Sequence, residues 1–312
     1  MEGIIKAVCI SEKRGTVKKN INEVKVIKDF GLEGDAHAGK WHRQVSFLSA
    51  DIVDEFNEKG ASVIEGDFGE NVLVYGIDFK KLPVGTKLIC NDVKFEVTQI
   101  GKECHSHCEI YKRVGDCIMP REGIFAKVLE GGMIKVGDKI KVIYPDKDMP
   151  YQAAVITLSD KGSRGERVDT SGPKASEILR EHGFEIIEEI LLPDEMAQIK
   201  KELIRLSDSR QVDLIITTGG TGLSPRDCTP EATLAVADRN VPGIAEAIRA
   251  GSMTITKRAM LSRGVSVIRK KTLIINLPGS KKAVEEGLSF IIDQLPHGLD
   301  TLRGNTQDCG RN

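Results

Sequence analysis

Two different rhythms of hydrophobic and polar positions divide the chain into halves. In residues 1–144, short apolar or alternating runs are separated by turns, which is typical of β-strands. These runs cover residues 3–9, 24–27, 71–74, 86–90, 93–97 and 139–143. One helix is predicted over residues 49–59, with Ile52, Val53 and Phe56 on one face and Gly60 as its end. Many short strands with few helices predict a mainly-β barrel.

The second half, residues 151–312, alternates strands and helices. Apolar, β-branched strands are predicted at residues 153–158, 184–190, 213–217 and 272–277. Helical periodicity is found at residues 171–182, 196–206, 230–238, 243–250 and 284–292. This alternation predicts a doubly wound α/β domain with a mostly parallel sheet. Residues 145–150 are charged, contain two prolines and are predicted to be a linker.

Composition and charge narrow the classes of function. A length of 312 residues suggests two domains, and a formal net charge of -1 argues against nucleic acid as the main partner. No apolar run has transmembrane length and residues 1–5 do not resemble a secretory signal, so a cytoplasmic protein without a membrane partner is expected. Seven cysteines, an odd number, favour reduced thiols over a disulfide framework.

Candidate chemistry follows the predicted strands of the second half. Ligands of doubly wound domains bind beyond the carboxyl ends of the strands. The residues expected there are Ser159, Asp160, Ser171, Gly172, Asp194, Gly219, Gly220, Thr221, Gly222, Arg226, Asp227, Asn276, Pro278, Gly279 and Ser280. Backbone N–H groups in such loops bind phosphates, and carboxylates hold Mg²⁺. The combination predicts a site for a metal-bound nucleotide.

Residues 213–231 are the centre of this arrangement: a buried strand, a loop with three glycines and a helix start. Thr229 is expected as the N-cap of that helix. The loop lacks both the lysine of a P-loop and the glycine spacing of a dinucleotide fingerprint. Arg226 is a candidate phosphate ligand, and Asp227 is a candidate to hold a divalent cation or orient a nucleophile. The alternative is an Arg–Asp surface pair after a strand.

These loops resemble the MogA/MoaB family of molybdopterin-binding domains over roughly residues 151–295. The motifs that carry the resemblance are at residues 159–160, 169–173, 193–195, 217–232 and 276–280. The resemblance implies transfer of AMP from Mg-ATP to the terminal phosphate of molybdopterin, with release of pyrophosphate. It places the functional aspartates at Asp194 and Asp227, with Asp227 at the Mg²⁺, and it suggests a homo-oligomer, namely a trimer. Lys281 departs from the family, which often has proline there.

Two constellations stand out in the first half. Residues 31–46 contain His42 and Arg43, which are predicted to grip an oxyanion or phosphate; the alternative is a structured turn with the tryptophan as a core anchor. Residues 101–110 contain Cys104, Cys108 and two histidines. Such groups suit a soft metal ion, or a thiol that acts as a nucleophile or sulfur carrier. Buried thiols beside solvated histidines are the alternative, and the role of Cys117 stays open.

The first half resembles a MOSC domain through residues 31–37, 42–46, 66–71, 82–86 and 121–128. That resemblance implies a β-barrel-like fold, association with the molybdenum cofactor, and sulfur carried on one cysteine, which is Cys104 here. Molybdenum or tungsten at this half is a further expectation, with Cys104 and Cys108 as candidate ligands. Together the halves predict a bifunctional protein of molybdenum cofactor biosynthesis that meets other cofactor-assembly proteins. The alternative is a non-catalytic molybdopterin-binding scaffold with a structural zinc site at the Cys-His cluster.

Overall fold

The structure, a computed structural model, describes residues 1–102, 111, 116–146 and 148–304. The chain divides into two compact units, Met1–Asp146 and Lys147–Asn312. Cys104 and Cys108, the predicted soft ligands, lie outside the described residues. Within the described ranges, no helix combines the length and the apolar character that crossing a membrane requires.

Strands dominate the N-terminal unit, as its short alternating runs predict. They are β1 (Glu2–Ile10), β2 (Lys19–Asn20), β3 (Glu23–Ile27), β4 (Gly31–Leu32), β5 (Val45–Ser49), β6 (Val72–Tyr75), β7 (Lys87–Cys90), β8 (Val93–Ile100), β9 (Ile124–Glu130), β10 (Gly132–Lys135) and β11 (Lys139–Ile143). The helices are α1 (Ala50–Glu58) and α2 (Met119–Glu122), and a 3-10 turn spans Phe79–Lys81. Helix α1 confirms the helix predicted over residues 49–59.

Seven of these strands close into a barrel, as predicted. Their order is β11-β7-β8-β9-β5-β6-β1, and β1 pairs back onto β11. Neighbours in the ring are antiparallel except β5 and β6, which are parallel. Strand β2 adds to β1, while β10, β3 and β4 form a separate sheet. Closure of the ring pairs the strand edges that an open sheet would expose.

Apolar side chains that alternate along the strands fill the barrel. Phe47 packs against Phe79 and Phe95, with ring centroids 5.7 and 5.1 Å apart. A second apolar cluster lies beneath α1, where the rings of Phe56 and Phe68 are 5.6 Å apart. Period-two alternation directs successive residues to opposite faces: in β5, which is buried at every position, Phe47 joins the barrel core and Leu48 joins the cluster beneath α1.

A buried ion pair joins Lys18 to Asp35, a residue of the MOSC-like motif at residues 31–37. Lys18 Nζ is 2.6 Å from Asp35 Oδ1, and both side chains are almost completely buried. Asp35 also accepts hydrogen bonds from the Ser11 N–H (3.0 Å) and from Asn71 Nδ2 (3.1 Å). Burial alone would raise the pKa of Asp35, but the His37 imidazole, 3.9 Å away, and the hydrogen-bonded Lys18 ammonium hold this pKa well below its usual range. Such pairing compensates for the cost of burying the two charges.

Strands and helices alternate in the C-terminal unit. The strands are β12 (Gln152–Leu158), β13 (Glu185–Leu192), β14 (Leu214–Thr218), β15 (Arg239–Asn240), β16 (Ser266–Arg269) and β17 (Thr272–Leu277). The helices are α3 (Asp160–Ser163), α4 (Ser171–Glu181), α5 (Met196–Ile204), α6 (Thr229–Leu234), α7 (Pro242–Met253), α8 (Lys281–Ser289) and α9 (Leu295–Arg303). A π turn spans Arg205–Ser209, and 3-10 turns span Lys257–Leu261 and Ile292–Gln294.

The six strands form one mostly parallel sheet in the order β13-β12-β14-β17-β16-β15. The first four strands are parallel, and β16 and β15 add an antiparallel edge. One face packs against α4, α7, α8 and α9, and the other against α5 and α6. Helices on both faces explain why β14 and β17 are buried along their whole length.

The antiparallel edge was not predicted, and it shortens a predicted helix. Helix α6 ends at Leu234, whereas helical periodicity predicted it over residues 230–238. Beyond it, the Asp238 N–H donates to the Ile268 carbonyl at 2.9 Å, and β15 pairs with β16. Sheet pairing with a strand about thirty residues away therefore overrides local helical preference.

Glu70 makes the stability of the N-terminal unit sensitive to pH. Its Oε1 accepts the Gly66 N–H at 2.7 Å, whereas its buried Oε2 has no hydrogen-bond partner among the described residues. Burial raises the pKa of Glu70 to about 7. An unfolded glutamate has a pKa of about 4.3, so the folded chain retains a proton between these values and stability falls as pH rises through that window.

We therefore expect Glu70→Gln to stabilise the N-terminal unit more at pH 8 than at pH 5, by on the order of 2 kcal/mol. Glutamine resembles the protonated carboxyl and keeps an acceptor for Gly66. The measurement is urea unfolding of the full chain at both pH values, with the exposed Glu55→Gln as the control. An equal effect of Glu70→Gln at the two pH values would contradict the burial argument.

Candidate functional site

A cavity of about 620 Å³ lies at the carboxyl ends of the parallel strands β12, β14 and β17. Eleven of the residues predicted from the strand ends line it. They are Ser159, Ser171, Asp194, Gly219, Gly220, Thr221, Gly222, Asp227, Pro278, Gly279 and Ser280. Four others, Asp160, Gly172, Arg226 and Asn276, are not part of the lining. Parallel strands thus bring together loops that are more than one hundred residues apart in sequence.

The glycine loop needs two residues without a Cβ atom. Gly219 and Gly220 have φ angles of 99° and 62°, in the left-handed region. A Cβ on Gly219 would lie 2.3 Å from the Leu158 carbonyl oxygen, and one on Gly220 would lie 2.2 Å from Thr229 Oγ1. Both the backbone conformation and the close packing therefore require glycine.

Thr229 fixes this loop instead of capping the helix that follows. Its hydroxyl donates to the Gly219 carbonyl at 3.0 Å, and its N–H donates to the Gly220 carbonyl at 3.2 Å. Helix α6 begins at Thr229 itself, with Cys228 in the N-cap position, so the predicted capping role of Thr229 is wrong. The Thr229 hydroxyl is thus engaged by the Gly219 carbonyl, while the Gly220 carbonyl binds the Thr229 backbone N–H.

The loop after β17 packs directly against the glycine loop. A Cβ on Gly279 would lie 3.1 Å from the Gly219 Cα atom, and the Gly219 N–H donates to the Leu277 carbonyl at 3.1 Å. Ser280 Oγ accepts the Ala283 N–H at 3.2 Å and caps α8. The N-terminus of a nine-residue helix, with its positive dipole end, is thereby held at the cavity wall.

Asp194 carries a buried carboxylate oxygen at the cavity. Its Oδ2 accepts the Asp160 N–H at 3.1 Å, while the Asp194 N–H donates to Asp160 Oδ1 at 3.1 Å. Its Oδ1 is buried and has no hydrogen-bond partner among the described residues. Burial raises the pKa of Asp194, and the charges of Asp160 and Asp227 raise it further. A cation bound beside Asp194 would offset both the burial of its carboxylate and the repulsion from the two neighbouring acids.

Asp227 lies on a tight turn within the glycine loop. Its N–H donates to the Ser224 carbonyl at 3.0 Å, and its Oδ2 accepts the Ser224 N–H at 3.2 Å. A Cβ on Gly222 would lie 2.8 Å from the same Oδ2. The turn directs the carboxylate toward Gly222 and the cavity. The negative charge of Asp227 contributes there to the raised pKa of Asp194.

Arg226 bridges two acids at the loop ends. Its Nε and Nη2 each lie 3.0 Å from the Asp160 carboxylate, and Nη2 lies 2.8 Å from Glu195 Oε1. These hydrogen bonds lower the pKa of Asp160 and raise that of Arg226. The structure thus shows Arg226 in an exposed ion-pair network that links the loops after β12, β13 and β14.

The segment before α4 uses its polar groups internally. Asp169 Oδ1 accepts the N–H groups of Ser171 (2.9 Å) and Gly172 (3.1 Å), and Asp169 Oδ2 accepts the Thr157 hydroxyl at 2.6 Å. A Cβ on Gly172 would lie 2.3 Å from Thr157 Oγ1. Glycine at position 172 thus allows close packing. Ser171 lines the cavity, and its Oγ lies 3.0 Å from Thr218 Oγ1.

Asn276 lies beneath the site in a buried polar network. Its Nδ2 donates to the hydroxyls of Thr217 (2.9 Å) and Thr233 (3.0 Å), and its Oδ1 accepts the Val265 N–H at 3.3 Å. These bonds join β14, β17 and α6 at their common end. The structure therefore places Asn276 as a support of the loops and not as part of the lining.

Sequence reasoning missed a second group of lining residues. They belong to α7 and to the segment around the 3-10 turn that follows it, and include Arg249, Ser252, Thr256, Arg258 and Ser262. Arg167, before α4, also lines the cavity. A search restricted to strand ends does not reach these residues. These three arginines are the lining residues that can pair with an anionic ligand, and the acids Asp169, Asp194, Asp227 and Glu286 line the same cavity.

The two candidate ligands in the N-terminal unit have different surroundings. His42 Nε2 is hydrogen-bonded to Gln99 Oε1 at 2.9 Å, close to the end of β8. The Arg43 guanidinium stacks 4.7 Å from the Trp41 ring and 5.6 Å from the Phe125 ring. Trp41 is 37% exposed, so the alternative in which the tryptophan is a core anchor is wrong: its ring lies at the surface and stacks with Arg43. The anion grip by His42 and Arg43 stays a prediction.

We expect Gly220→Ala to destabilise the C-terminal unit by more than about 1–2 kcal/mol, the cost of a left-handed backbone alone. The added Cβ also meets Thr229 and lies 2.9 Å from Asp194 Oδ1. The measurement is urea unfolding of the full chain. Gly243→Ala is the matched control, because a Cβ at this helical position meets nothing within 4 Å. Equal stabilities of the two variants would argue against the required backbone conformation.

Comparison with known proteins agrees with this division into two units. Residues 154–297 match the model of the probable molybdopterin binding domain, and residues 34–141 match that of the MOSC domain. A molybdopterin adenylyltransferase of Helicobacter pylori (strain J99) is 40% identical over 153 residues, which are 48% of this chain and 87% of that protein. That of Escherichia coli (strain K12) is 44% identical over 142 residues, or 45% and 72% of the two chains.

A solved structure of the molybdopterin biosynthesis enzyme MoaB from Thermus thermophilus is 47% identical and covers 49% of this chain and 97% of its own, with a TM-score of 0.48. The sequence matches place the glycine loop, Asp194 and Asp227 inside the matched C-terminal region. The chain therefore belongs to the family of molybdopterin-binding domains through its C-terminal unit, which it joins to an N-terminal MOSC domain.

Proposed function

We propose that this protein acts in molybdenum cofactor biosynthesis and that its C-terminal unit adenylylates molybdopterin with Mg-ATP. A phosphate oxygen of the pterin attacks the α-phosphorus of ATP in line, the bond to the β-phosphate breaks, and pyrophosphate leaves. The observation that carries this proposal is the cavity itself, which is lined by the glycine loop, by the carboxylates of Asp194 and Asp227 and by three arginines, together with two further acids, Asp169 and Glu286. The names of the matched relatives, which are molybdopterin adenylyltransferases, agree with it.

Two groups of lining residues suit the two parts of such a reaction. The glycine loop and the N-terminus of α8 offer backbone N–H groups and a positive dipole end for nucleotide phosphates. Arg249 and Arg258 offer charge for a second phosphate group. Little covalent chemistry is required of the protein in phosphoryl transfer, so alignment of the two anions is its main task.

The carboxylates fit a magnesium ion that arrives with the nucleotide. Among the described residues no cluster of three or more His, Cys, Asp or Glu side chains is arranged to hold a metal by itself. Mg²⁺ is usually bound by one or two carboxylates together with substrate phosphates, and Asp194 and Asp227 supply that number. The buried, unpartnered Oδ1 of Asp194 is the group that such an ion would satisfy. When bound, Mg²⁺ neutralises charge on the phosphates.

We expect Asp194→Asn and Asp227→Asn each to lower the rate of AMP transfer by roughly 10²–10³-fold, because each removes a charge that holds the metal-bound nucleotide in line. Binding of molybdopterin should remain largely intact in both variants. The measurement is formation of adenylylated pterin and pyrophosphate by the full-length protein. Asp293→Asn, an exposed residue outside the cavity, is the matched control.

Two outcomes decide between catalysis and simple binding. Wild-type protein that binds molybdopterin but never consumes ATP would contradict the transferase and leave a non-catalytic scaffold. Product formation that survives loss of both aspartates would place the chemistry elsewhere in the cavity.

For the N-terminal unit we propose a role in binding the cofactor or its metal, or in handing on sulfur, with Cys104 as the reactive residue. Gln99, which binds His42, lies five residues before Cys104 in the sequence. Arg43, stacked on Trp41, is a candidate for the anionic part of a ligand. Cys104 and Cys108 themselves lie outside the described residues.

If Cys104 carries sulfur, its thiolate should attack a polysulfide and keep one sulfur as a persulfide, while the polysulfide leaves one sulfur shorter. Peptide mass mapping should find this added sulfur in wild type and in Cys108→Ser, but not in Cys104→Ser. Metal analysis of the same three proteins is the control. Stoichiometric zinc that both variants lose equally would contradict the sulfur carrier and favour a structural zinc site.

A further inference from the structure

An arginine outside the glycine loop holds the part of the loop that carries Asp227. Arg263 follows the 3-10 turn Lys257–Leu261. Its Nε donates to the Gly222 carbonyl at 2.6 Å, and its Nη2 donates to the Asp227 carbonyl at 2.7 Å. Its Nη1 pairs with Glu231 in the first turn of α6, and its backbone N–H donates to the Thr221 carbonyl at 2.9 Å.

These contacts complement those made by Thr229. The threonine fixes the start of the loop through the carbonyls of Gly219 and Gly220. Arg263 fixes its middle and its end, on both sides of the turn from Ser224 to Asp227. Two tethers from one planar guanidinium group therefore set how far apart Gly222 and Asp227 lie.

We propose that Arg263 is a positioning residue for AMP transfer: it does not contact the reacting atoms but holds Asp227 and the neighbouring peptide groups in their reactive arrangement. This inference rests on the function proposed above. Because peptide groups are planar, fixing the carbonyls of Gly222 and Asp227 also fixes the N–H groups of Leu223 and Cys228.

The geometry of the side chain explains why arginine is required. Arginine presents several N–H donors in a rigid fork, so one group can bind two carbonyls and a carboxylate at once. Lysine has a single ammonium on a flexible stem, so it lacks the rigid fork whose two nitrogens bind the two carbonyls. The Arg263 side chain is about one third exposed, so its pair with Glu231 contributes little compared with the carbonyl contacts.

The experiment compares wild type, Arg263→Lys and Arg263→Ala in the full-length chain. Hydrogen exchange, followed by mass spectrometry without substrate, reports the amides of residues 219–228. We expect exchange there to be faster in both variants. Steady-state kinetics with Mg-ATP and molybdopterin should show kcat lower by roughly 10- to 100-fold, the effect of a misplaced group, with a much smaller change in KM for ATP. Guanidinium ion should restore part of kcat in Arg263→Ala.

Two control variants separate positioning from general stability. Arg269→Ala removes an arginine that, like Arg263, binds both a carboxylate and a backbone carbonyl, here Asp208 and the Val236 carbonyl. Arg269 is not part of the cavity lining. Arg269→Ala should lower stability but leave exchange in residues 219–228 unchanged. Glu231→Gln removes the ion pair and keeps both carbonyl tethers, so its kcat should stay close to wild type.

Unchanged exchange at residues 219–228 in Arg263→Ala would overturn the inference, and so would a loss of kcat that Glu231→Gln reproduces. A folded Arg263→Lys with wild-type kcat would also overturn it. Failure of the proposed function looks different: wild type itself would then form no adenylylated pterin, while the exchange measurement would still report whether Arg263 orders the loop.

Discussion

The close approach of the loops at the ends of β12, β14 and β17 is the constraint on which the C-terminal unit depends. Gly219 packs its Cα region against the Leu158 carbonyl on one side and Gly279 on the other. No side chain fits between these backbones, and the φ angles of Gly219 and Gly220 exclude most other residues. The cavity exists because three loops from distant parts of the sequence converge without side chains between them.

Polar groups around this contact divide into those that build the loops and those that face the cavity. Thr229 and Asn276 satisfy backbone or hydroxyl groups within the protein, and Asp169 does the same while also lining the cavity. Asp194 keeps a buried oxygen without a partner among the described residues, which is costly unless a ligand compensates. Rigid support and an unsatisfied group at the same place are what a binding site for a charged ligand requires.

The arginines near the site can likewise be divided into those bound within the protein and those that line the cavity. Arg226 is neutralised by Asp160 and Glu195 at the outer ends of the loops, and Arg263 is bound to carbonyls of the glycine loop. Arg249 and Arg258 line the cavity from α7 and the turn that follows. The arginines near the site therefore have different roles, and the residue type alone does not show which of them contacts a ligand.

The sequence by itself determined the barrel in the first half, the doubly wound sheet in the second and most of the cavity's strand-end residues. Period-two and helical patterns are local signals of burial, and parallel strands bring their following loops to one edge. Only the tertiary structure decided that Thr229 binds glycine carbonyls, that Arg226 pairs with two acids and that β15 and β16 shorten α6. It also decided that α7 and its following turn line the cavity, because packing between elements distant in sequence leaves no periodic trace in the chain.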